Sequence, residues 1–296
     1  MPAPARGGGG DHRPVTKTLE RVVGYRLLVT DVDGTLLTPD RRGLPEVREA
    51  LRAARSRGVR VCLATGRMWG SVRPYAEAVG ADSPVVLYNG AMVYDFHGDR
   101  ILERHTLDPA AAREALEVLR EFPDVRPHVF ADDRVYVDRR DEQSRAYLER
   151  DEITAEAVGD LLDNLPEQPI KVLVVGDPER LARLDHALAR RAPRVRRVFS
   201  ERNFLELLPP GVSKGTALRT VCAWLGVRLQ DTLAVGDNPN DLEMIQAAGL
   251  GVAVAGAHPT LQAAAGYVAQ GGPGEAVVEV VRRFLFAEGT RKPGGR

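Results

Sequence analysis

The stretch RLLVTD, residues 26–31, is a short apolar run rich in β-branched residues that stops on an acid, the pattern of a strand covered on both faces. LPEVREALRAARSRG follows, with Val47, Ala50, Leu51 and Ala54 at i, i+3, i+4 and i+7. Pro45 suits the first turn and Gly58 the end, so an amphipathic helix is predicted. VRVCLATG reads as a second strand, SVRPYAEAVG as a second helix and PVVLYNG as a third strand. Such βαβαβ alternation implies a parallel sheet with helices over it. It resumes late in the chain: SKGTALRTVCAWLG as helix, TLAVGD as strand, DLEMIQAAG as helix, GVAVAG as strand, then AHPTLQAAAG and GEAVVEVVRRFLF as helices.

Between the two runs the texture changes. DPAAAREALEVLREF has an Asp cap, proline at the first helical position and Ala112, Ala115, Leu116 and Leu119 on one face. HVFADDRVYV alternates around a polar turn and predicts an antiparallel hairpin. IKVLVVGDPERLARLDHALARRAP gives strand then helix, and RVRRVFS a further strand. The expected fold class is therefore α/β: a doubly wound parallel-sheet core, residues 20–106 and 201–288, with an inserted α+β unit at 107–200.

Composition narrows the field. The chain has 296 residues, is 44% hydrophobic and has zero formal net charge. Nothing here argues for nucleic acid or an anionic membrane as partner, and no apolar run reaches the ~18 residues of a membrane span. The Gly/Pro-rich segment 1–19 and the end 289–296 read as tails, the former without the apolar stretch of a signal peptide. Cys62 and Cys222 lie in apolar segments and read as buried thiols, so a cytoplasmic location is the default expectation. Oligomeric state is left open. The basic residues are nearly all arginine; the lysines are Lys17, Lys171, Lys214 and Lys292, which makes each a position to account for.

Four predicted strands end alike, an apolar run meeting a polar residue: Asp31, Thr65, Asn89 and Asp237. In open parallel α/β sheets ligands bind beyond the carboxyl ends of the strands, so these side chains should share one crevice. Asp31, Asp33, Asp237 and Asp241 would then crowd together, each like pair at about 4 Å costing roughly 4 kcal/mol at an effective dielectric near 20. A cation relieves this, and oxygen ligands without His or Cys favour Mg²⁺. A calcium turn fits poorly, because DVDGTLL and DNPNDLE both lack its sixth-position glycine. Thr65 offers a hydroxyl, Gly66 a close backbone approach, and Lys214 a point charge at a predicted helix start, all suited to a phosphate.

DVDGTLL, ATGR, GVSKG and GDNPNDLEM, in this order, resemble the four motifs of haloacid dehalogenase-like phosphatases, and YNGA with the long insert resembles the Cof-type subgroup. The resemblance spans about residues 25–286. It implies a Rossmann-like core with an inserted cap, and a phosphatase of small phosphorylated metabolites. In it Asp31 is the nucleophile, forming an aspartyl-phosphate, and Asp33 the general acid/base. Mg²⁺ is held by Asp31, the Asp33 main-chain carbonyl and Asp237, with Asp241 and Asn240 supporting it. Thr65 and Lys214 bind the phosphate, while Asn89, Gly90 and Arg67 lie where the leaving group enters. Gly256-Ala257 departs from the subgroup's Asn-Ala.

Two alternatives share these motifs. A phosphomutase would use a sugar hydroxyl in place of water, and a receiver-like signalling module would keep a long-lived acyl phosphate, which the insert and Asp33 fit poorly. The scattered histidines, the 189–197 basic run and Trp69 are assigned to surface or core.

Overall fold

The computed structural model describes residues 24–38, 44–131 and 133–286. The tails expected at 1–19 and 289–296 fall outside the described residues. In chain order the first elements are β1 (Leu27–Thr30), α1 (Leu44–Ser56), β2 (Arg60–Leu63), α2 (Trp69–Val79), β3 (Val85–Leu87), β4 (Met92–Asp95) and β5 (Arg100–Arg104). Then come α3 (Pro109–Leu119), β6 (Arg126–Ala131), β7 (Arg134–Val137), α4 (Glu142–Arg150), β8 (Ala155–Ala157), β9 (Lys171–Val175), α5 (Pro178–Arg191), β10 (Arg196–Glu201) and β11 (Phe204–Leu208). The chain closes with α6 (Lys214–Leu225), β12 (Thr232–Gly236), α7 (Leu242–Ala247), β13 (Leu250–Ala253), α8 (Pro259–Ala264), β14 (Tyr267–Val268) and α9 (Glu275–Val280), the last running into a π turn, Val281–Leu285.

The fold is α/β. A parallel sheet of order β14-β13-β12-β1-β2 forms its centre, with β1 flanked by β12 and β2. Leu27, Leu28 and Val29 are fully buried, as a strand covered on both faces requires. β3 is where the predicted parallel arrangement ends. It touches β2 through one parallel bridge, Ala64 to Val86, and then pairs antiparallel with β4, which pairs with β5. The turn at Tyr88–Gly90 reverses the chain too sharply for a crossover helix, with Tyr88 and Asn89 both at positive φ.

A second, antiparallel-rich sheet runs β10-β11-β9-β6-β7-β8. Here the boundary at residue 200 is corrected: β11, assigned to the core, pairs with β10 and β9 in this sheet. Its FLELL run satisfies strand periodicity equally well in either place. Side chains alternate across the sheet. Val172, Val174, Leu205 and Leu207 pack under α3 and α5 against Leu116, Leu181, Leu184 and Leu188, while Leu173, Val175 and Phe204 face the other way, into the cluster shared with the parallel-sheet unit. Lys171 and Glu206 lie on that second face. Among the described residues no helix is long and apolar enough to cross a membrane.

Candidate active site

The polar residues at the strand tips converge. Asp31 directly follows β1, and the chain then turns at Gly34, whose φ is +82°. A Cβ there would lie 2.3 Å from Asp237 Oδ2, so only glycine lets this loop lie against the tip of β12. Lys214 is the first residue of α6, whose N-cap Ser213 is locked in a reciprocal capping box with Thr216. Its side chain is completely buried, and Nζ donates to Asp31 Oδ1 at 2.5 Å and Asp241 Oδ1 at 2.7 Å. Asp241 Oδ2 accepts from the backbone N–H groups of Asp237 and Asn238, at 3.0 and 3.2 Å, so both its oxygens are engaged in holding Lys214 and the loop. Thr35 Oγ1 donates to Asp237 Oδ1 at 2.8 Å and Asn238 Nδ2 to Oδ2 at 2.7 Å.

Electrostatics follow from this packing. Burial pushes the Asp31 carboxyl well above the usual range; Lys214 opposes the shift, and the charges of Asp241, Asp237 and Asp33 add to it. Burial, reinforced by the charge of Asp241, pushes Asp237 up to about 7. Burial works against the Lys214 charge, but the two carboxylates outweigh it and raise its pKa. Asp33 behaves oppositely. Burial alone would raise it, but Arg67 Nε and Nη2 grip its two oxygens at 2.7 Å each, and its pKa is lowered.

Asp31, Asp237 and Asp241 each offer a carboxylate oxygen, all within 4.8 Å of one another. Four carboxylates against the two cations Lys214 and Arg67 leave an excess of negative charge among hard oxygen donors. This donor set fits a divalent cation of the Mg²⁺ type. The Asp33 carboxylate is not among these three and is held by Arg67.

Thr65 is buried after β2 and its Oγ1 accepts from Arg67 N–H at 3.1 Å. A Cβ on Gly66 would approach Asn89 Nδ2 to 3.1 Å, and Asn89 Oδ1 accepts from Asn240 Nδ2 at 2.9 Å. Gly90, expected at the leaving-group entrance, packs closely on a neighbouring helix. At φ +102° it lies against the start of α6, where a Cβ would meet the Ser213 carbonyl at 2.2 Å. Its lack of a side chain serves close packing.

The sequence profile of haloacid dehalogenase-like hydrolases matches residues 28–281. The chain belongs to that family. It is 31% identical over 260 residues to a phosphoglycolate phosphatase of Methanothermobacter thermautotrophicus, covering 88% of this chain and 99% of the relative. It is 34% identical over 245 residues to an HMP-PP phosphatase of Serratia proteamaculans, covering 80% and 86%. Among solved structures, a haloacid dehalogenase-like hydrolase from B. subtilis superposes with a TM-score of 0.78 at 25% identity, covering 88% of this chain and all of that one. As a haloacid dehalogenase-like hydrolase with phosphatase relatives, the chain is an enzyme of the phosphoric monoester hydrolase class.

This hydrolase has a narrow recess of about 40 Å³ between Asp31, Asp33 and Arg67 on one side and Tyr147, Arg150 and Lys171 on the other. A larger crevice lined by Gly34, Arg150 and Asp237 shares Asp33 and Arg67 with it. A larger depression near Glu46 and Arg282 shares no residue with the acid cluster. The groups from the second sheet are those that sequence reasoning missed. Arg150 and Asp151 come from the C-terminal end of α4: Arg67 Nη2 lies 3.3 Å from Asp151 Oδ1, and Arg150 bonds both Asp151 and Glu201 at 2.9 Å. Lys171 and Glu206 form a buried pair at 2.9 Å. For Lys171 the scarcity of lysine was a signal, and for Glu206 an acid inside FLELL; for Asp151 there was none.

Proposed function

We propose that this enzyme is a Mg²⁺-dependent phosphatase of small phosphorylated metabolites, sugar phosphates or similar, working through an aspartyl-phosphate. The reading is carried by one observation: Lys214, fully buried, ties Asp31 to Asp241 at the edge of an acid cluster that opens on a small polar cavity. Phosphate monoesters hydrolyse so slowly without a catalyst that accelerations up to ~10²¹ are called for, and a carboxylate nucleophile divides the reaction into two displacements.

Mg²⁺, when bound by Asp31, Asp237 and the Asp33 carbonyl with Asp241 in support, neutralises phosphate charge so that one anion can approach another. In the first displacement an Asp31 oxygen bonds to phosphorus, the ester P–O bond breaks, and Asp33 gives its proton to the leaving oxygen. In the second, a water oxygen bonds to phosphorus, Asp33 takes the water proton, and the bond to Asp31 breaks, releasing orthophosphate. The Arg67 grip favours the carboxylate form of Asp33, which suits the second displacement; the first needs that grip relaxed. Thr65 and Lys214 bind the phosphate oxygens. The antiparallel-sheet unit acts as a cap that excludes bulk water and selects the leaving group through Tyr147, Arg150 and Glu201. The recess lies between the acid cluster and the second sheet, narrow enough to exclude a folded protein.

Hydrolysis of an aryl phosphate with Mg²⁺ and with EDTA tests the metal. Acid quenching with a ³²P-labelled ester tests the intermediate: label on the wild-type protein and none on Asp31→Asn is expected. Undiminished turnover by Asp31→Asn refutes the mechanism.

A further inference from the structure

Lys171 has no part in the chemistry above, yet it is one of two lysines among the described residues and is buried in the cap at 2% exposure. Strand alternation puts it on the face of β9 opposite Val172, and Glu206, across from Leu173 on β11, lies diagonal to it on that same face. Its ammonium donates to Glu206 Oε2 and to the Gly66 carbonyl, each at 2.9 Å, and stands 4.5 Å from the centre of the Phe130 ring on the neighbouring strand. Ser200 Oγ in turn donates to Glu206 Oε1 at 3.0 Å.

Stability gives little reason for such a pair, since hydrophobic residues of similar size commonly do as well in its place. Its position does. The Gly66 carbonyl and the Arg67 N–H belong to one peptide group. Lys171 bonds the oxygen of that group, and its N–H bonds Thr65 Oγ1 at 3.1 Å. A cation on the carbonyl polarises the peptide and strengthens the N–H as a donor. With an acceptor site on Thr65 Oγ1 taken, the hydroxyl proton is left to point at a ligand oxygen.

We propose that Lys171 is a positioning residue that links cap docking to phosphate binding, setting the Thr65 hydroxyl through the Gly66–Arg67 peptide, with Glu206 as its anchor. This rests on the functional reading in which Thr65 binds phosphate. Only a docked cap completes the chain from Glu206 through Lys171 to the peptide, so the phosphate site is fully organised when solvent is shut out.

The test is a double-mutant cycle on kcat/KM for an aryl phosphate with inhibition by orthophosphate as a second readout. Lys171→Met/Glu206→Gln removes both charges together and leaves no buried ion unpaired. In the wild-type background it is expected to lower kcat/KM and weaken orthophosphate inhibition by about ten- to a hundredfold. In a Thr65→Ala background it should change either by less than about twofold, because interacting sites are non-additive. Equal losses in the two backgrounds overturn the proposal and make the pair mere packing. Should the double substitution fail to fold, Glu206→Gln alone frees the anchor while keeping the lysine, and its loss must likewise vanish without Thr65. If Thr65→Ala is itself without effect, the functional reading of Thr65 falls, and the role of Lys171 with it.

Discussion

The acid cluster makes the metal-free enzyme sensitive to pH in a defined direction. Burial and the Asp241 charge raise Asp237 from 3.8 to about 7, so the folded protein holds a proton that the unfolded chain has already released. Stability from this group is complete below about pH 4, is lost progressively as pH rises to about 7, and is level above. A displacement of about three units corresponds to about 4 kcal/mol, an upper bound once relaxation is allowed for. Asp31, also raised, adds a slope of the same sign. The perturbation is Asp237→Asn, and the assay is urea unfolding in EDTA at several values between about pH 5 and about pH 8. Wild type should lose stability across this range more steeply than the variant, by up to about 3 kcal/mol, the part of the displacement that falls between pH 5 and pH 7. Millimolar Mg²⁺ should restore more at the alkaline end than at the acidic end, because a cation replaces the proton. Parallel curves for the two proteins refute the reasoning.

Other outcomes follow from single contacts. Asp31→Asn should lower aryl-phosphate turnover by about 10⁴-fold or more, measured by phosphate release, since a nucleophile has no substitute. Asp33→Asn should cost about 10²- to 10⁴-fold in kcat, the range of general acid–base catalysis. Gly90→Ala must fit a Cβ where the Ser213 carbonyl stands and keep φ +102°, so a loss of about 3 kcal/mol or more in urea unfolding is expected. Glu243→Gln removes the charge, and one of the two acceptors, that Arg196 bonds at 2.6 and 2.8 Å, but both side chains are partly exposed, so thermal unfolding should register less than about 1 kcal/mol.

Much of the parallel sheet was legible because burial on both faces leaves an unmistakable apolar run, as at Leu27–Val29, and because acids set after such runs have few structural reasons to be there. Lys214 was legible through its glycine-bounded helix start. The hairpin β3–β4 was not, since PVVLYNG reads identically whether the next step is a crossover or the reversal at Asn89. α4 escaped notice for another reason: EQSRAYLER buries only Ser144, Tyr147 and Leu148, too few to mark a period, and its value lies in the polar residues at its end. Asp151 and Glu201 are ordinary surface acids by pattern. Only tertiary packing brings them to Arg67 and Arg150.

The rarity of lysine has a practical side. Among the described residues both primary amines, Lys171 and Lys214, are sealed from solvent. An amine-directed acylating reagent can reach Lys171 only after the two lobes part, so the rate of adduct formation at that position, followed by peptide mass spectrometry, becomes a clock for breathing of the enzyme. A tight competitive inhibitor should slow that clock.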